Sequence, residues 1–313
     1  MRTFVVFTAT YNRANRLDLL YDSLKKLNYK DFYWLVIDDG SSDNTQEVVN
    51  RYIDEGILEI IYHRFPVNGG KHQVLRYAFS HLNAKYALQI DDDDQLTQDC
   101  LDVFLQEWKR IDEEGITDIG EIRALVSDQN GCIVGKKRYI PNISFDSDYI
   151  KMNWVLDSRM ENLSCYKSEI FCDCNLFEGI DSMWLFDKVH MVYEDVFWNR
   201  FARKYRTRYI PNVLRIYNRG TSGSLTATSI NRTKCYNYVF TNSVVLNELG
   251  KDKYCNIRRL LKSLAQYWAC ALALKLPIKK CFTSLEGLGV RLISLFVIPI
   301  AWIVGLYFVK YKF

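Results

Sequence analysis

The first ninety residues alternate between strand-like and helix-like segments, and this alternation constrains the fold more than any other feature. Short apolar runs without a helical period are typical of buried strands, whereas apolar residues spaced by three and four are typical of helices. The strand-like runs are TFVVFTA, FYWLVID, LEIIYHR and KYALQI, and the helix-like segments are RLDLLYDSLKKL, DNTQEVVNRYIDE and KHQVLRYAFSHL. Right-handed crossovers join strands that alternate with helices. The sequence therefore predicts an α/β fold with a mainly parallel central sheet flanked by helices.

Polar residues follow three of these strands. The segments are TATYNR, DDGSSDNT and DDDD. Because the carboxyl ends of parallel strands meet at one edge of a sheet, where ligands bind, we expect the three segments to converge. No GxGxxG or GxxxxGK[ST] motif occurs, so neither a dinucleotide-binding fingerprint nor a P-loop explains this edge.

Four consecutive aspartates, Asp91 to Asp94, are the most unusual part of this edge. Neighbouring like charges repel and cannot all stay ionised unless a cation or water shields them. An acidic run is often a solvated turn, but this one directly follows the apolar run KYALQI and precedes the helix-like LTQDCLDVFLQEWKRI. On these grounds alone, both solvation and a positive partner stay open.

Composition narrows the class of protein. A chain of 313 residues that is 49% hydrophobic can bury a large core, which excludes a disordered protein. The nine cysteines form no CxxC pair, which favours reduced thiols in the cytosol over a disulfide framework or a zinc site. His72 and His190 are isolated and lack the spacing of metal ligands.

The C-terminal region differs from the rest in charge. Residues 251–313 contain eleven Lys and Arg and two acidic residues, a net charge of +9, whereas residues 1–250 carry −5. No nucleic-acid-binding module is recognisable there, so anionic lipid headgroups fit this basic region better.

An uncharged apolar run of 18 residues, 292–309, lies between Arg291 and Lys310. As a helix it would extend roughly 27 Å, barely enough to cross a bilayer. We expect residues 226–313 to form a helical, membrane-associated region that either lies on the membrane or crosses it. A helical hairpin packed on the protein's own core is the alternative.

Four segments in order resemble the motifs of family 2 glycosyltransferases, including bacterial capsule and O-antigen transferases. They are FTATYNRANRLDLLYDSLKKLNYKDFYWLVIDDGSSDNTQEVV, NGGKHQVLRYAF, KYALQIDDDDQL and VYEDVFWNRFARKY. The resemblance implies the GT-A nucleotide-diphospho-sugar transferase fold. It also implies an inverting transfer of sugar from a nucleotide-diphosphate donor, with UDP expected, to a hydroxyl of a glycan or lipid-linked acceptor in cell-surface polysaccharide synthesis. Members usually use Mg²⁺ or Mn²⁺.

The resemblance also implies an organisation and a location. We expect a GT-A catalytic domain over residues 1–225, with a nucleotide-sugar-binding half at 1–114 and an acceptor-binding half at 115–225. Asn130-Gly131 predicts a hairpin within the second half. The protein is expected in the cytoplasm at the inner face of the cell membrane, with no nucleic-acid partner.

By resemblance, the first two strand exits bind the nucleotide base. Thr10, Tyr11 and Arg13 match the stretch that lines the base. Asp39 matches the aspartate that accepts a hydrogen bond from the imide N–H of the base, which is a good donor for a carboxylate.

The segment NGGKH matches the part of the family that approaches the base and diphosphate. Gly70 lets the backbone come close, and Lys71 faces the donor. Arg76 and Tyr77 stand where many members carry arginine followed by asparagine, which leaves the exact donor open.

The aspartate run matches the D-x-D-D pattern of the family. The resemblance implies that Asp92 hydrogen-bonds the ribose and that Asp93 ligates the divalent ion that bridges the diphosphate. Asp91 is grouped with the nucleotide-binding residues, but its role and that of Asp94 stay open, because one of them can simply be solvated.

The segment VYEDVFWNRFARKY matches the ED motif, which makes Asp195 the expected catalytic base and Glu194 an acceptor-site residue. Without the resemblance, acidic residues at the start of a helix are an ordinary feature.

Several residues are candidates for the acceptor side. Glu161 stands where related transferases often carry an aspartate, and Trp154, Trp184 and Trp198 can stack on sugar rings or belong to the core. The glycine-containing segment RGTSGSLT (219–226) resembles a loop that closes over the diphosphate.

Two other classes of function stay open from sequence. One is a nucleotidyltransferase that makes a nucleotide sugar, although TATYNRANR lacks the glycine-rich loop expected of it. The other is a non-catalytic, membrane-bound sugar-binding protein.

Overall fold

The computed structural model describes residues 1–135, 142–156, 158, 160–173, 175–218, 230–252 and 256–312. The chain divides into two compact units. The first, which we call the sheet unit, comprises Met1–Cys174 and Lys204–Thr221, and the second, the helical unit, comprises Asn175–Arg203 and Ser222–Phe313.

The sheet unit is built on one sheet with helices packed against it. Its strands are β1 (Arg2–Thr10), β2 (Phe32–Asp38), β3 (Ile60–Arg64), β4 (Ala84–Gln89), β5 (Gln95–Leu96), β6 (Ile119–Asp128), β7 (Phe145–Ser147), β8 (Asn162–Lys167) and β9 (Arg206–Tyr217). Its helices are α1 (Leu17–Lys25), α2 (Thr45–Glu55), α3 (Lys71–Ser80), α4 (Cys100–Glu113) and α5 (Ile170–Asp173).

The strand order along the sheet is β3-β2-β1-β4-β8-β6-β9-β5, and β7 pairs with β9. Strands β1 to β4 are mutually parallel where they pair. Strand β8 is antiparallel to both β4 and β6, whereas β6 and β9 are parallel. The predicted α/β class is therefore confirmed, with a parallel N-terminal half and a mixed remainder.

The core of the sheet unit explains why its central strands read as continuous apolar runs. Every residue of β2 is buried, because helices cover both faces of the sheet there. Leu17, Leu20 and Leu24 of α1 are fully buried at helical spacing. Tyr86 and Trp108 stack with ring centroids 5.1 Å apart, which packs α4 against β4.

The Asn130-Gly131 turn is also present. Asp128 N donates to Cys132 O at 2.8 Å, and Gly131 takes the positive φ of 76° that favours glycine in such a turn. After the turn, Ile133 bridges back to Ser127. The hairpin prediction holds at this turn.

The helical unit contains five α-helices among its described residues. They are α6 (Asp195–Ala202), α7 (Arg232–Glu248), α8 (Ile257–Ala273), α9 (Ile278–Thr283) and α10 (Leu288–Lys312). By length and composition, α10 could cross a membrane over Leu288–Val309, and no other helix of the described residues could.

The boundary between the units differs from the expected one at residue 225. Residues 175–203 group with the helical unit because ion pairs and hydrogen bonds tie them to it. Arg203 pairs with Asp252 at 2.8 Å, and Asn237 accepts a hydrogen bond from His190 N at 3.1 Å. The expected acceptor-binding half, 115–225, is therefore divided between the two units.

Candidate active site

Hydrogen bonds join the exits of β1 and β2 at the carboxyl edge of the sheet. Asp39 N donates to Thr10 O at 2.9 Å, and Asn12 N donates to Ser41 Oγ at 2.9 Å. Asn12 has a φ of 52°, and its side-chain oxygen accepts from Ser42 N at 2.7 Å. The two exits thus form one continuous rim, as the convergence of polar segments predicts.

The Asp39 carboxylate holds the glycine segment against this rim. Its two oxygens accept from Gly69 N at 2.7 Å and from Gly70 N at 2.8 Å. Gly70 directly precedes α3 and has a φ of 87°, a conformation that side chains disfavour. Burial raises the pKa of Asp39, and the two N–H groups oppose that rise.

Gly40 permits the same close approach from the other side. A Cβ at Gly40 would lie 2.6 Å from the carbonyl carbon of Val67, which is closer than real Cβ contacts. The sequence DDG therefore lets the backbone that follows β2 touch the backbone that leads into the glycine segment.

The four aspartates after β4 each lie beside a cation. Arg13 Nη1 donates to Asp92 Oδ1 at 2.8 Å and to Asp93 Oδ2 at 3.2 Å. Arg16 Nη1 also donates to Asp93 Oδ2, at 3.1 Å. The run is therefore not a solvated turn, and positive charge does belong there.

Asp91 lies between two cations. Lys71 Nζ is 3.7 Å from Asp91 Oδ1, and Arg215 Nη2 donates to Asp91 Oδ2 at 3.0 Å. The side chain is 46% exposed, so Asp91 is the carboxylate of the run most open to solvent. Lys71, followed by Arg215, lowers the pKa of Asp91.

Asp94 is buried and has a structural role. Arg215 Nε donates to its Oδ2 at 2.6 Å, and Asn218 N donates to its Oδ1 at 3.1 Å. Asn218 Nδ2 also bonds Asp93 O. Strand β9 thus supports the aspartate run from behind, although it is about 120 residues away in sequence.

Burial raises the pKa of two of the aspartates. It raises the pKa of Asp92 to about 6, although Arg13 opposes the shift. It raises the pKa of Asp94 to about 7, although Arg215 opposes the shift. Both shifts follow from the cost of placing a charge away from water.

The donor set fits a hard divalent cation held partly by substrate. The run offers only carboxylate oxygens, which suit Mg²⁺ and Mn²⁺. Among the described residues, no group of three or more His, Cys, Asp or Glu could hold an ion by protein ligands alone. Mg²⁺ in proteins is commonly bound by one or two carboxylates together with phosphates and water, and Asp93 fits that arrangement.

The acceptor candidates of the sheet unit are Glu161 and Trp154. Glu161 is exposed. Burial raises the pKa of Tyr217, and Glu161 raises it further, as the largest charge effect on that phenol. The charge of Glu161 therefore influences the same end of β9 that supports the aspartate run. Trp154 is partly buried.

The ED motif lies in the helical unit. Asp195 is the first residue of α6 and is half-buried, and Glu194 precedes it at the helix start. Trp198 Nε1 donates to Glu194 Oε2 at 3.3 Å. Trp198 is only 5% exposed, because its ring packs in the core against Phe201, and this burial leaves no ring face for a sugar.

Two other predicted elements are Trp184 and the closing loop. Trp184 lies under the amine of Lys280, 5.4 Å from the ring centroid. The predicted closing loop, 219–226, lies outside the described residues.

Sequence reasoning missed Arg16, Arg215 and Asn218. The only signal for Arg215 is its position inside the strand-like run YIPNVLRIY, where a charged residue needs a partner. Nothing in the sequence pattern identifies that partner as Asp94.

Replacement of Arg215 tests the support from β9. We expect Arg215→Met to lower the free energy of unfolding by about 3 kcal/mol, because it leaves the buried Asp94 without its cation. The measurement is urea denaturation of the variant and the wild type.

The control is Arg206→Met. Arg206 is also on β9, and its substitution removes an exposed ion pair with Asp118. A cost below about 1 kcal/mol is expected there. Equal costs for the two variants would contradict the structural role of the Arg215–Asp94 pair.

The strand order, with polar segments at the carboxyl edge of the sheet, agrees with the expected GT-A fold. Residues 5–130 match the family model "Glycosyl transferase family 2". This N-terminal region is similar to family 2 glycosyltransferases, as the sequence motifs predict.

One known protein is similar to part of the chain. Chondroitin synthase from Pasteurella multocida (strain Pm70) is 30% identical over 103 residues, which is 33% of this chain. The chain matches only about a tenth of the length of that relative.

Solved structures support the fold. TarS residues 1–349 from S. aureus, in complex with UDP-GlcNAc, has a TM-score of 0.66 at 14% identity, covering 98% of this chain and 92% of that chain. The mannosyltransferase PcManGT from Pyrobaculum calidifontis, in complex with GDP-Man and Mn²⁺, has a TM-score of 0.52 at 15% identity, covering 99% and 88%.

Proposed function

We propose that this protein is an inverting, metal-dependent glycosyltransferase that moves a sugar from a UDP-sugar donor to a hydroxyl of a glycan or lipid-linked acceptor. The process is cell-surface polysaccharide synthesis. The observation that carries the proposal is the joined rim of three strand exits, in which four carboxylates meet four cations. Such a cluster suits a ligand that carries both polar groups and negative charge.

The nucleotide is proposed to bind along the exits of β1 and β2. Thr10, Tyr11 and Arg13 line the base, and Tyr11 is 44% exposed, so its ring is available for contact. Each carboxylate oxygen of Asp39 accepts one hydrogen bond from the glycine segment. Each oxygen also has a second lone pair that can accept from the imide N–H of the base. Asp39 thus both shapes the pocket and reads the base.

The diphosphate is proposed to bind between Gly70, Lys71 and the aspartate run. Asp91, Asp92, Asp93 and Asp94 face Arg13, Arg16, Lys71 and Arg215. A diphosphate adds about two negative charges to a site whose own charges nearly balance, so binding favours a divalent cation that enters with it.

Asp93 is the proposed ligand of Mn²⁺ or Mg²⁺, and Asp92 is proposed to bond the ribose. A bound cation would neutralise the charge that develops on the departing diphosphate. Arg13 and Arg16 donate to Asp93 in the structure, so they compete for its oxygens and can turn toward the phosphates when a cation takes that carboxylate.

Inversion requires a base that takes the proton of the acceptor hydroxyl as the oxygen attacks the sugar. Asp195 is the proposed base. Its position at the start of α6 fixes its backbone, and Glu194 beside it is anchored by the indole N–H of Trp198. Glu194 and Glu161 are the proposed acceptor-site carboxylates.

The location is proposed to be the cytoplasmic face of the cell membrane. The apolar helix α10 and the basic charge of residues 251–313 support attachment to anionic lipid. A lipid-linked acceptor would be presented at that same surface.

The similar proteins support the substrate class. The S. aureus structure holds UDP-GlcNAc, the P. calidifontis structure holds GDP-Man and Mn²⁺, and the P. multocida relative is a chondroitin synthase. Together they favour a nucleotide-sugar donor and a polysaccharide product for this chain.

A thermal-shift screen tests the donor. We expect UDP with Mn²⁺ to raise the melting temperature more than GDP or CDP with Mn²⁺, because Asp39 accepts from a base imide and selects for it. A ligand at a hundred times its Kd stabilises the folded state by about 2.7 kcal/mol, which gives a clear shift.

Product analysis separates the classes of function. A transferase releases UDP when donor and acceptor are present, whereas a nucleotidyltransferase releases pyrophosphate from UTP and a sugar phosphate. A larger shift with GDP would contradict UDP as the donor nucleotide, and donor binding without any UDP release across an acceptor panel would contradict catalysis.

A further inference from the structure

Two opposite faces of α10 have different environments from Val290 to Phe308. One face packs on the core of the helical unit through a row of small and apolar residues. The row is Val290, Ser294, Val297, Ala301, Gly305 and Phe308. Ser294 and Ala301 are 0% and 1% exposed, so this packed face excludes solvent near the middle of the helix.

Close contact with α8 explains the small residues. A Cβ at Gly305 would lie 3.0 Å from Ala269 O and 3.5 Å from Ala273 N. Small residues let two helices approach each other in this way. The packed face extends from Val290 to Phe308, which is about 27 Å of helix.

The other face is exposed and apolar. Phe296 is 81% exposed, and Ile300 and Ile303 are each 66% exposed. Phe296 lies about 200° around the helix axis from Ser294, at 100° per residue. Residues 292–309 contain no charged side chain, so this face presents no ionic group to water.

We propose that α10 lies in the plane of an anionic membrane interface, with this exposed face in the lipid and the helical unit on the water side. This inference rests on the proposed membrane attachment and specifies its geometry.

A helix that crosses a bilayer has lipid or other membrane-embedded helices on all sides. Because α10 is packed on the helical unit along its whole apolar length, crossing would either strip that face or draw α8 into the lipid. Helix α8 carries the exposed Arg258 and Lys262, which are costly to bury in hydrocarbon. Lying in the interface avoids both costs.

Charge complementarity favours anionic lipid as the partner of the exposed face of α10. The described elements that neighbour α10 in the chain expose Arg258, Lys262, Lys275, Lys279 and Lys280. Among described residues 256–309, the only exposed acidic side chain is Glu286. A second copy of this chain would bring like charges together, whereas an anionic bilayer would attract them.

Trp302 provides the measurement of depth. It is 55% exposed on α10 and is the eleventh of the 18 uncharged residues, so a crossing helix would place it near the bilayer centre. The full chain is bound to vesicles of phosphatidylcholine and phosphatidylglycerol that carry bromine at either a shallow or a deep acyl position. The contribution of Trp302 is the difference in fluorescence between the wild type and Trp302→Phe.

We expect the shallow bromine to quench Trp302 at least twofold more than the deep one. Stronger quenching by the deep bromine would overturn the in-plane geometry but leave membrane attachment standing. Sedimentation with vesicles without quenching of Trp302 would also overturn the inference. Failure to sediment with vesicles at all would remove the proposed attachment itself.

A charged substitution on the exposed face gives a second test. We expect Phe296→Asp to weaken vesicle binding by about tenfold or more, because it places a charge where the apolar face meets lipid. The control Ile57→Asp changes an apolar residue of the sheet unit that is 57% exposed and should bind vesicles as the wild type does. Self-association lost in Phe296→Asp, with vesicle binding unchanged, would overturn the inference and assign the face to a second copy.

Discussion

Asp195→Asn is expected to lower the rate of sugar transfer by a factor on the order of 10²–10⁴ while donor affinity hardly changes. The substitution keeps the size and hydrogen bonding of the side chain but removes the group that accepts the proton. Donor affinity should persist because the proposed nucleotide contacts all come from the sheet unit, whereas Asp195 belongs to the helical unit. The measurements are UDP release in the presence of acceptor and the Kd of UDP with Mn²⁺.

Asp187→Asn is the matched control. Asp187 lies eight residues earlier in the same unit, its side chain is 73% exposed, and it pairs only loosely with Lys188 at 3.4 Å. Its substitution should leave the rate within twofold of the wild type. Transfer by Asp195→Asn at the wild-type rate would move the base to Glu194 or Glu161, and a parallel loss of donor binding would make Asp195 a structural residue instead.

The elements of the first ninety residues could be predicted because their signals are local. Apolar runs such as FYWLVID, here β2, have a period set by the backbone and need no knowledge of distant residues. The convergence of Thr10, Asp39 and Asp93 on one edge also followed, since parallel strands place their exits together.

The partners of the aspartates could not be predicted, because they depend on contacts between distant parts of the chain. Arg215 and Asp94 are 121 residues apart, and their pairing depends on the register of β9. Trp198 illustrates a second limit. Aromatic residues serve both cores and sugar sites, and only the packing of α6 shows that this ring is buried.

The division of the chain into units depends on long-range pairs in the same way. Arg200 and Arg203 both pair with Glu248, which ties the ED segment to α7. A sequence pattern shows two arginines at the end of a short helix, but not which acidic residue they contact. This explains why the family motifs, which are continuous in order, are divided between two units.

Asp93→Ala is expected to abolish the dependence of donor binding on metal while the protein stays folded. The side chain is 14% exposed and its partners are Arg13 and Arg16, so its loss leaves two cations near the rim and no buried acid without a partner. Changes to outer-shell partners of metal ligands already cost 10- to 100-fold in metal affinity, so loss of the ligand itself should cost at least about 100-fold.

The sharp readout is the ratio of the UDP Kd without Mn²⁺ to the Kd with Mn²⁺, measured by calorimetry. In the wild type this ratio should be well above one, and in Asp93→Ala it should fall to about one. Binding without metal should hold or improve in the variant, because Arg13 and Arg16 no longer donate to Asp93 and can meet the phosphates. Asp99→Asn, which removes a nearby exposed carboxylate bonded only locally to Thr97, should keep the wild-type ratio. If the wild type itself binds UDP equally with and without Mn²⁺, the four cations at the rim neutralise the diphosphate unaided, and the proposed metal dependence is wrong.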